Sequence, residues 1–194
     1  SHTLAGPIAT MVLADLGAEV IKVEALHGDE TRSWAPFVDG ESAYYLSINR
    51  GKKSIAVNLK DERGREIVYK LASRSQVLVE NFRPGVPEKL GVDYDSIVKV
   101  NREVVYVSIK GFRQGSVYEQ KPAYDIIIQA ITGLMSTTGE EGRPPVRVSF
   151  ALFDVMTGYL AVIYLLAALY AGVRPVKIEV PMYDAAIFSL CYVP

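Results

Sequence analysis

The chain of 194 residues is 49% hydrophobic and 22% charged, which is typical of a globular protein with one sizeable core in one or two domains. Its 21 basic and 22 acidic residues nearly cancel, so no overall charge would draw it to nucleic acid or to an anionic membrane surface. The single cysteine, Cys191, excludes an internal disulfide and a zinc site of several thiolates. It fits the reducing cytoplasm, where we predict that the protein resides.

Helices and strands are predicted to alternate along the chain. The stretch AGPIATMVLADLG has a proline in its first turn and a glycine at its end, as helices commonly do, and VIKVE follows with strand-like alternation. FRPGVP and GEEGRPP are predicted loops. This order predicts an α/β fold with a Rossmann-like parallel sheet flanked by helices. The further predicted strands are 53–59, 77–82, 104–109 and 177–182, and the further helices are 61–73, 95–100, 124–135, 150–172 and 183–193.

The longest predicted helix, FALFDVMTGYLAVIYLLAALYAG, carries a single charge, Asp154. Its apolar part, residues 155–171, falls slightly short of the roughly 20 residues of a membrane span, and no other stretch of the sequence resembles one. We therefore predict no membrane partner. We interpret the segment as a central buried helix that neighbouring elements cover on every side.

Carboxylates are the candidate catalytic groups. The sequence has no glycine-rich dinucleotide fingerprint, no phosphate loop and no Gly-x-Ser-x-Gly elbow, and its only histidines are His2 and His27. Histidine triads and metal sites are therefore not predicted. Asp125 in PAYDIIIQAITG and Asp154 each lie among apolar residues near the start of a predicted helix. Backbone amides and the helix dipole stabilise an anion there, and spacing alone favours a helix cap for both.

Motifs over nearly the whole chain resemble one enzyme family. In order, the chain contains AGPIATMVLADLGAEVIKVE, GDETR, NRGKKSIAVNLKDERGRE, VLVENFRPGVPEKLGVDY, YVSIKGF, AYDIIIQAITGLMSTTG and KIEVPMYDAAI. These motifs, at this spacing, resemble the family III CoA-transferases, whose superfamily includes the α-methylacyl-CoA racemases. The resemblance implies the large CoA-binding domain of an enzyme in which two ring-like chains interlock as a homodimer.

The resemblance also implies a mechanism. In the transferases the residue that matches Asp154 attacks an acyl-CoA thioester, giving a mixed anhydride and then an aspartyl-CoA thioester that passes CoA to an acceptor carboxylate. A carboxylate suits this role because it is ionised at pH 7 and its anhydride and thioester both remain activated. The helix start is expected to keep Asp154 anionic, and the acid matching Asp125 is expected to orient or tune the intermediates. The AYD…QA…TTG stretch suggests succinyl-CoA or a similar donor.

Coenzyme A is implied as a substrate, bound along the loops after the first strands, and no metal is implied. Lysines would meet its phosphates as point charges and a phenylalanine would face the nucleotide, although solvated surface lysines are the plainer interpretation. Tyr44 matches an active-site tyrosine of some transferases, with a core tyrosine as the alternative. The positions that match the CoA site are Val57, Lys60, Asn81, Phe82 and Lys89, with Arg83 and Arg102 as further phosphate candidates.

Two residues depart from the patterns of related enzymes. Racemases have a histidine immediately before the acid that matches Asp125, where it moves the α-proton, but this chain has Tyr124. An unperturbed tyrosine has a pKa of about 10 and is a poor base at neutral pH, which disfavours racemisation. Leu4 stands where the formyl-CoA transferase pattern has glutamine, which argues against a formyl or oxalate specificity.

The resemblance implies that family members are longer than this chain. We expect residues 1–194 to form an incomplete large CoA-binding domain, without its first strand, the C-terminal small domain and a glycine-rich loop that covers the intermediates. Alone, the segment is expected to bind CoA weakly and to be inactive. The alternatives to a CoA-transferase are an α-methylacyl-CoA racemase and a non-catalytic CoA-binding subunit.

Overall fold

A computed structural model describes residues 1–192 and confirms the predicted α/β fold. Helices and strands alternate, as the hydrophobic periodicity predicts. In the described residues the helices are α1 (Ala5–Asp15), α2 (Ala43–Asn49), α3 (Glu62–Ala72), α4 (Val86–Leu90), α5 (Tyr94–Val100), α6 (Asp125–Ile131), α7 (Leu152–Ala171) and α8 (Met182–Ser189). The strands are β1 (Val20–Glu24), β2 (Phe37–Val38), β3 (Glu41–Ser42), β4 (Lys52–Ala56), β5 (Val77–Glu80), β6 (Val105–Lys110) and β7 (Val176–Pro181).

The longer strands pair in parallel. β1 pairs with β4, and β6 lies between β5 and β7 in a three-stranded sheet, while β2 and β3 form a short antiparallel hairpin. In parallel sheets of this kind, ligands bind at the edge where the carboxyl ends of the strands lie. That edge of the structure carries the segments that follow β4, β5 and β6.

One apolar core joins the sheet to α1 and α7. Val105 and Val107 of β6 are fully buried and belong to the same cluster as Ala9 of α1 and Leu165 of α7. The two helices approach closely at Gly158, where a side-chain carbon would lie 2.9 Å from the carbonyl oxygen of Ala5. Glycine is therefore required at this crossing, and the beginning of α7 lies beside the beginning of α1.

The prediction that neighbouring elements cover α7 on every side is wrong for the described residues. In the most apolar 18-residue window of α7, which has a mean hydropathy of 1.9, only 33% of the residues are buried. One face packs on the sheet and α1, whereas the other exposes Tyr159, Ile163 and Tyr170, the last at 97%. By length and composition alone this helix could cross a membrane. Hydrophobicity does not reveal whether an apolar face meets the same chain, another chain or lipid.

The other differences from the predicted elements have local causes. The helix predicted at 124–135 ends at Ile131 and continues as a 3-10 turn, because Gly133 adopts a φ of 82°. The strand predicted at 53–59 ends at Ala56, where the chain turns toward α3. The predicted loop FRPGVP contains the beginning of α4, and α2 with the β2–β3 hairpin was not predicted. The helix predicted to reach Val193 ends at Ser189, and Val193 lies outside the described residues.

Candidate active site

Asp154 lies where the beginnings of two helices meet. It is the third residue of α7, and the backbone amide of Ala5, the first residue of α1, lies close enough to its carboxylate to favour the ionised form. Gly158 lies one turn further along α7, and the close packing of the two helices there keeps the start of α1 beside Asp154. The site is therefore built by the same helix contact that forms the core.

Asp125 caps α7 rather than its own helix. Its Oδ1 accepts hydrogen bonds from the backbone amides of Phe153, at 2.6 Å, and Asp154, at 3.3 Å. The residues immediately before α6 and α7 are Tyr124 and Ala151, and neither side chain caps its helix. Asp154 lies inside the first turn of α7, so the expectation that Asp154 itself is a cap is wrong. The carboxylate of Asp125 satisfies amides that the first turn of a helix otherwise leaves unpaired.

The electrostatic environment favours the protonated form of Asp154 more than expected. Burial, together with the nearby charge of Asp125, raises the pKa of Asp154 to about 7, and the backbone amide of Ala5 lowers it only in part. The expectation that the helix start keeps Asp154 anionic therefore has to be corrected. At neutral pH the carboxyl and carboxylate forms are both populated.

Two aromatic residues lie on the α2 side of this acid. Burial and the charge of Asp154 raise the pKa of Tyr44 to about 12, so its phenol stays protonated. The ring of Tyr44 packs on that of Trp34, with 5.1 Å between the ring centroids. Leu4 is the residue immediately before Ala5, at the start of α1. The structure thus places Tyr44 and both aspartates near one another, and Leu4 is next in sequence to the backbone that lies beside Asp154.

A buried carboxylate fixes the segment that carries these aromatic rings. Glu24, at the end of β1, accepts hydrogen bonds from Arg32, Tyr45 and Ser54 at 2.6 to 2.9 Å. Burial alone would raise the pKa of Glu24, but these donors lower it well below its usual range. Because Tyr45 belongs to α2, this network sets the position of the neighbouring Tyr44.

The residues matched to the CoA site gather at the carboxyl ends of β4 and β5. Val57 is buried in an apolar cluster against which Phe82 packs. Lys60 and Lys89 are both exposed, and each is adjacent in sequence to a leucine of that cluster. Beside Val57 lies an open depression of about 320 Å³. Its lining residues are Ala56, Val57, Asn58, Asp61, Arg63, Gly64 and Ile67.

Asn81 connects this region to the start of α1. Its side-chain amide donates to the carbonyl of His2 and accepts from the amide of the same residue, both at 2.8 Å. The ring of His2 stacks on Phe82, with centroids 5.7 Å apart. The side-chain amide of Asn81 is therefore bonded to the backbone of His2. Arg83 and Arg102 are exposed.

The structure adds a buried polar residue beside Asp125 that the sequence did not single out. Gln129, which is 1% exposed, donates from Nε2 to Oδ2 of Asp125 at 2.5 Å. Its position four residues after Asp125 on one helix was a usable signal, because side chains at that spacing are neighbours. Tyr124 is 62% exposed at the start of α6. Within residues 1–192 no group of three or more His, Cys, Asp or Glu side chains could hold a metal ion.

Comparison with known proteins decides the family. A sequence profile of CoA-transferase family III matches residues 1–192. The chain belongs to this family. It is 43% identical over 195 residues to the acetyl-CoA:oxalate CoA-transferase of Acetobacter aceti, covering 98% of this chain and 50% of that protein. It is 48% identical over 179 residues to the succinyl-CoA:glutarate CoA-transferase of Mus musculus, covering 91% and 41%.

A solved structure agrees with the family III assignment. The CaiB/BaiF family protein from Brucella suis matches this fold with a TM-score of 0.94 at 38% identity, covering 98% of this chain and 52% of that one. These findings confirm the resemblance seen in the motifs. The chain spans about half the length of the curated relatives it matches.

Replacing Asp154 with asparagine is expected to stabilise the full protein at alkaline pH. The folded pKa of about 7 exceeds the ordinary 3.8, so the folded state keeps a proton that the unfolded chain loses, and stability falls as pH rises through this window. At about 1.4 kcal/mol per pKa unit the loss has an upper limit on the order of 4 kcal/mol, which solvent access reduces.

Urea unfolding from about pH 4 to about pH 9 measures this difference. The gap in unfolding free energy between Asp154→Asn and the wild type should widen as pH rises and level off above about pH 8. Asp95→Asn, which changes an exposed carboxyl in the first turn of α5, serves as the control and should give a curve parallel to the wild type. A parallel curve for Asp154→Asn would contradict the raised pKa.

Proposed function

We propose that this chain carries the CoA-binding and nucleophilic part of a CoA-transferase that moves CoA from an acyl-CoA donor to a small carboxylic acid. The observation that carries the proposal is the Asp154 carboxyl, held between the starts of α1 and α7 with a pKa near neutrality. A group that is partly anionic and poorly solvated is a more reactive nucleophile than a carboxylate in water. Family membership supports this role because the relatives from Acetobacter aceti and Mus musculus are named as CoA-transferases.

The proposed reaction uses acyl exchange at one carboxyl group. An oxygen of Asp154 attacks the donor thioester carbonyl, the C–S bond breaks and CoA leaves as thiolate, giving a mixed anhydride. The thiolate then attacks the aspartyl carbonyl carbon, the bond between that carbon and the bridging oxygen breaks, and the donor acid leaves as carboxylate with the bridging oxygen. The acceptor carboxylate attacks the resulting aspartyl-CoA thioester in the same way, and the thiolate finally takes the acceptor acyl group and frees Asp154.

Two neighbouring groups have roles in this scheme. The amide of Ala5, which lies beside the Asp154 carboxylate, would stabilise the negative charge that develops on the aspartyl carbonyl oxygen during attack by the thiolate. Asp125 would not compete as a nucleophile, because its Oδ1 is occupied by the amides of α7. We assign Asp125 the role of orienting Asp154 and tuning its charge.

We propose that the nucleotide end of CoA binds at the carboxyl ends of β4 and β5. Val57 and Phe82 would supply apolar contacts from their shared cluster, and Lys60 and Lys89 are exposed and available to phosphates. Asn81 would act through the segment it fixes at the start of α1. This arrangement connects the coenzyme region to the nucleophile through residues 2–5.

For the substrates we propose succinyl-CoA or a similar dicarboxylic donor. The relative from Mus musculus is named for succinyl-CoA and glutarate, whereas the relative from Acetobacter aceti is named for acetyl-CoA and oxalate. Leu4, at the start of α1, is apolar where the formyl-CoA transferase pattern has glutamine, so we favour succinyl-CoA over an oxalate-specific reaction. The reaction fits a cytoplasmic enzyme, which is the location we propose.

We further propose a homodimer in which the uncovered face of α7 is buried. That face exposes Tyr159, Ile163, Tyr164 and Tyr170, and an apolar surface of this extent typically marks an association site. No charged residue follows Asp154 in α7, so apart from the tyrosine hydroxyls this face offers water few polar side-chain groups. A second copy of the protein is the proposed occupant.

Trapping with hydroxylamine tests the covalent role of Asp154. The full protein incubated with succinyl-CoA and hydroxylamine is expected to convert Asp154 to a hydroxamate, because hydroxylamine attacks the aspartyl carbonyl of the anhydride or thioester. Peptide mass spectrometry locates the change. Asp95→Asn should be trapped at Asp154 like the wild type, and Asp154→Asn should not be trapped at all.

An unmodified Asp154 in protein that binds acyl-CoA would contradict the transferase and favour a non-catalytic CoA-binding subunit. Because the donor acid is itself a proposal, acetyl-CoA and glutaryl-CoA are included in the same experiment. Modification with these donors but not with succinyl-CoA would overturn the proposed donor and leave the nucleophile in place.

Light scattering coupled to size exclusion tests the dimer. The full protein should have the mass of two chains, and Ile163→Glu should convert it to one chain at micromolar concentration, since a charge at the centre of an apolar interface lacks a partner. Ile67→Glu changes an exposed isoleucine of α3 and should leave the dimer intact. Circular dichroism checks that both variants remain folded. A folded Ile163→Glu variant with the mass of two chains would rule out this face.

A further inference from the structure

We infer that Gln129 is a positioning residue for the nucleophile, acting through Asp125. This inference rests on the proposed function of Asp154 and adds a residue that makes no contact with the reacting atoms. The Gln129 side chain lies one turn after Asp125 on α6 and is 1% exposed. Its hydrogen bonds connect the acid that caps α7 to the segment that leads into α7.

Both ends of the Gln129 amide are used. Nε2 donates to Oδ2 of Asp125 at 2.5 Å and, more weakly, to the carbonyl oxygen of Phe150 at 3.3 Å. Oε1 accepts from the backbone amide of Val148 at 2.8 Å. A buried group at this place must donate toward Asp125 and accept from Val148, and a side-chain amide does both. The orientation of the amide is therefore fixed by its partners.

These contacts determine where Asp154 sits. Oδ2 of Asp125 is held by Gln129, which leaves Oδ1 free to accept the amides of Phe153 and Asp154. The segment 148–150, which Gln129 also holds, enters α7 two residues later. Gln129 thus fixes the start of α7 in two ways, through the capping carboxylate of Asp125 and through the segment 148–150 that precedes the helix. A displacement of about 1 Å at a reacting group can lower a rate about 100-fold, so this indirect support matters to catalysis.

The bond from Gln129 also leaves Asp125 as an acceptor at both of its oxygens. Oδ2 accepts from Gln129 and Oδ1 accepts from the start of α7, so the carboxyl group supplies only acceptors to these contacts. The titratable group that acts on Asp154 in the described residues is Asp125 from α6, and α1 contributes the backbone amide of Ala5, whereas Tyr44 from α2 responds to the charge of Asp154 and stays protonated itself. Gln129 is neutral, so it supplies the donor without adding a charge to this set.

Two variants of the full protein separate positioning from simple structural support. Gln129→Leu removes the donor at every pH, and the rate constant for hydroxamate formation at Asp154 should fall about 10- to 100-fold at all pH values. Gln129→Glu can donate to Asp125 only when Glu is protonated. Its deficit should be small near pH 6 and should grow at least tenfold by pH 8.5, because the ionised side chain repels Asp125 and lacks the proton.

The amplitude of trapping identifies the fraction of protein that is active. Both Gln129 variants should reach the wild-type amplitude at long times with unchanged affinity for CoA, whereas a structural defect would lower the amplitude and leave the rate constant of the active fraction unchanged. Gln76→Leu and Gln76→Glu are the matched controls, because Gln76 is exposed at the amino end of β5, away from the site. They should behave like the wild type at each pH.

The outcomes distinguish this inference from the proposed function. If wild-type Asp154 is trapped and the Gln129 variants react with the same rate constants as the Gln76 variants, the role of Gln129 is overturned and the nucleophile is not. A lowered amplitude with an unchanged rate constant, or a Gln129→Glu deficit that does not depend on pH, would do the same. Absence of any modification in the wild type would overturn the nucleophile, and the role of Gln129 with it.

Discussion

The hydrogen bonds from the start of α7 to the Asp125 carboxylate are the interaction on which the site depends. Amides in the first turn of a buried helix need a partner, because an unpaired buried donor costs about 1–3 kcal/mol. Here the partner is the side-chain carboxylate of Asp125 on α6, which accepts from the backbone amides of Phe153 and Asp154. The same charge that completes α7 therefore acts on the carboxyl group of Asp154.

The core of the fold and the reactivity of Asp154 are consequently coupled. Burial and Asp125 raise the pKa of Asp154 to about 7, and the amide of Ala5 opposes this shift. Ala5 lies there because α1 packs against α7 at Gly158, and both helices pack on the buried strand β6. A carboxyl balanced near neutrality can be buried at moderate cost as an acid and still supply a poorly solvated anion for attack.

The sequence could predict most of the fold because its periodicities are local. The strands and the longer helices follow from alternation, helix periodicity and the placement of proline and glycine. Asp125 and Asp154 stand out as isolated acids in apolar segments, but the cap that α7 receives from α6 is a tertiary contact without a local pattern. For the same reason the raised pKa was not predicted. The uncovered face of α7 was missed because an apolar residue looks alike whether it meets its own core or another surface.

The titration of Asp154 itself reports whether its carboxyl group is coupled to Asp125. Carbon-13 NMR of the full protein with labelled aspartate, assigned with Asp154→Asn, follows the side-chain carboxyl carbon across pH. We expect a midpoint near pH 7 for Asp154 and a lower midpoint in Asp125→Asn, where the neighbouring charge is gone. A midpoint near 4 for Asp154 in the wild type, or one that Asp125→Asn leaves unchanged, would contradict this coupling of the two carboxyl groups.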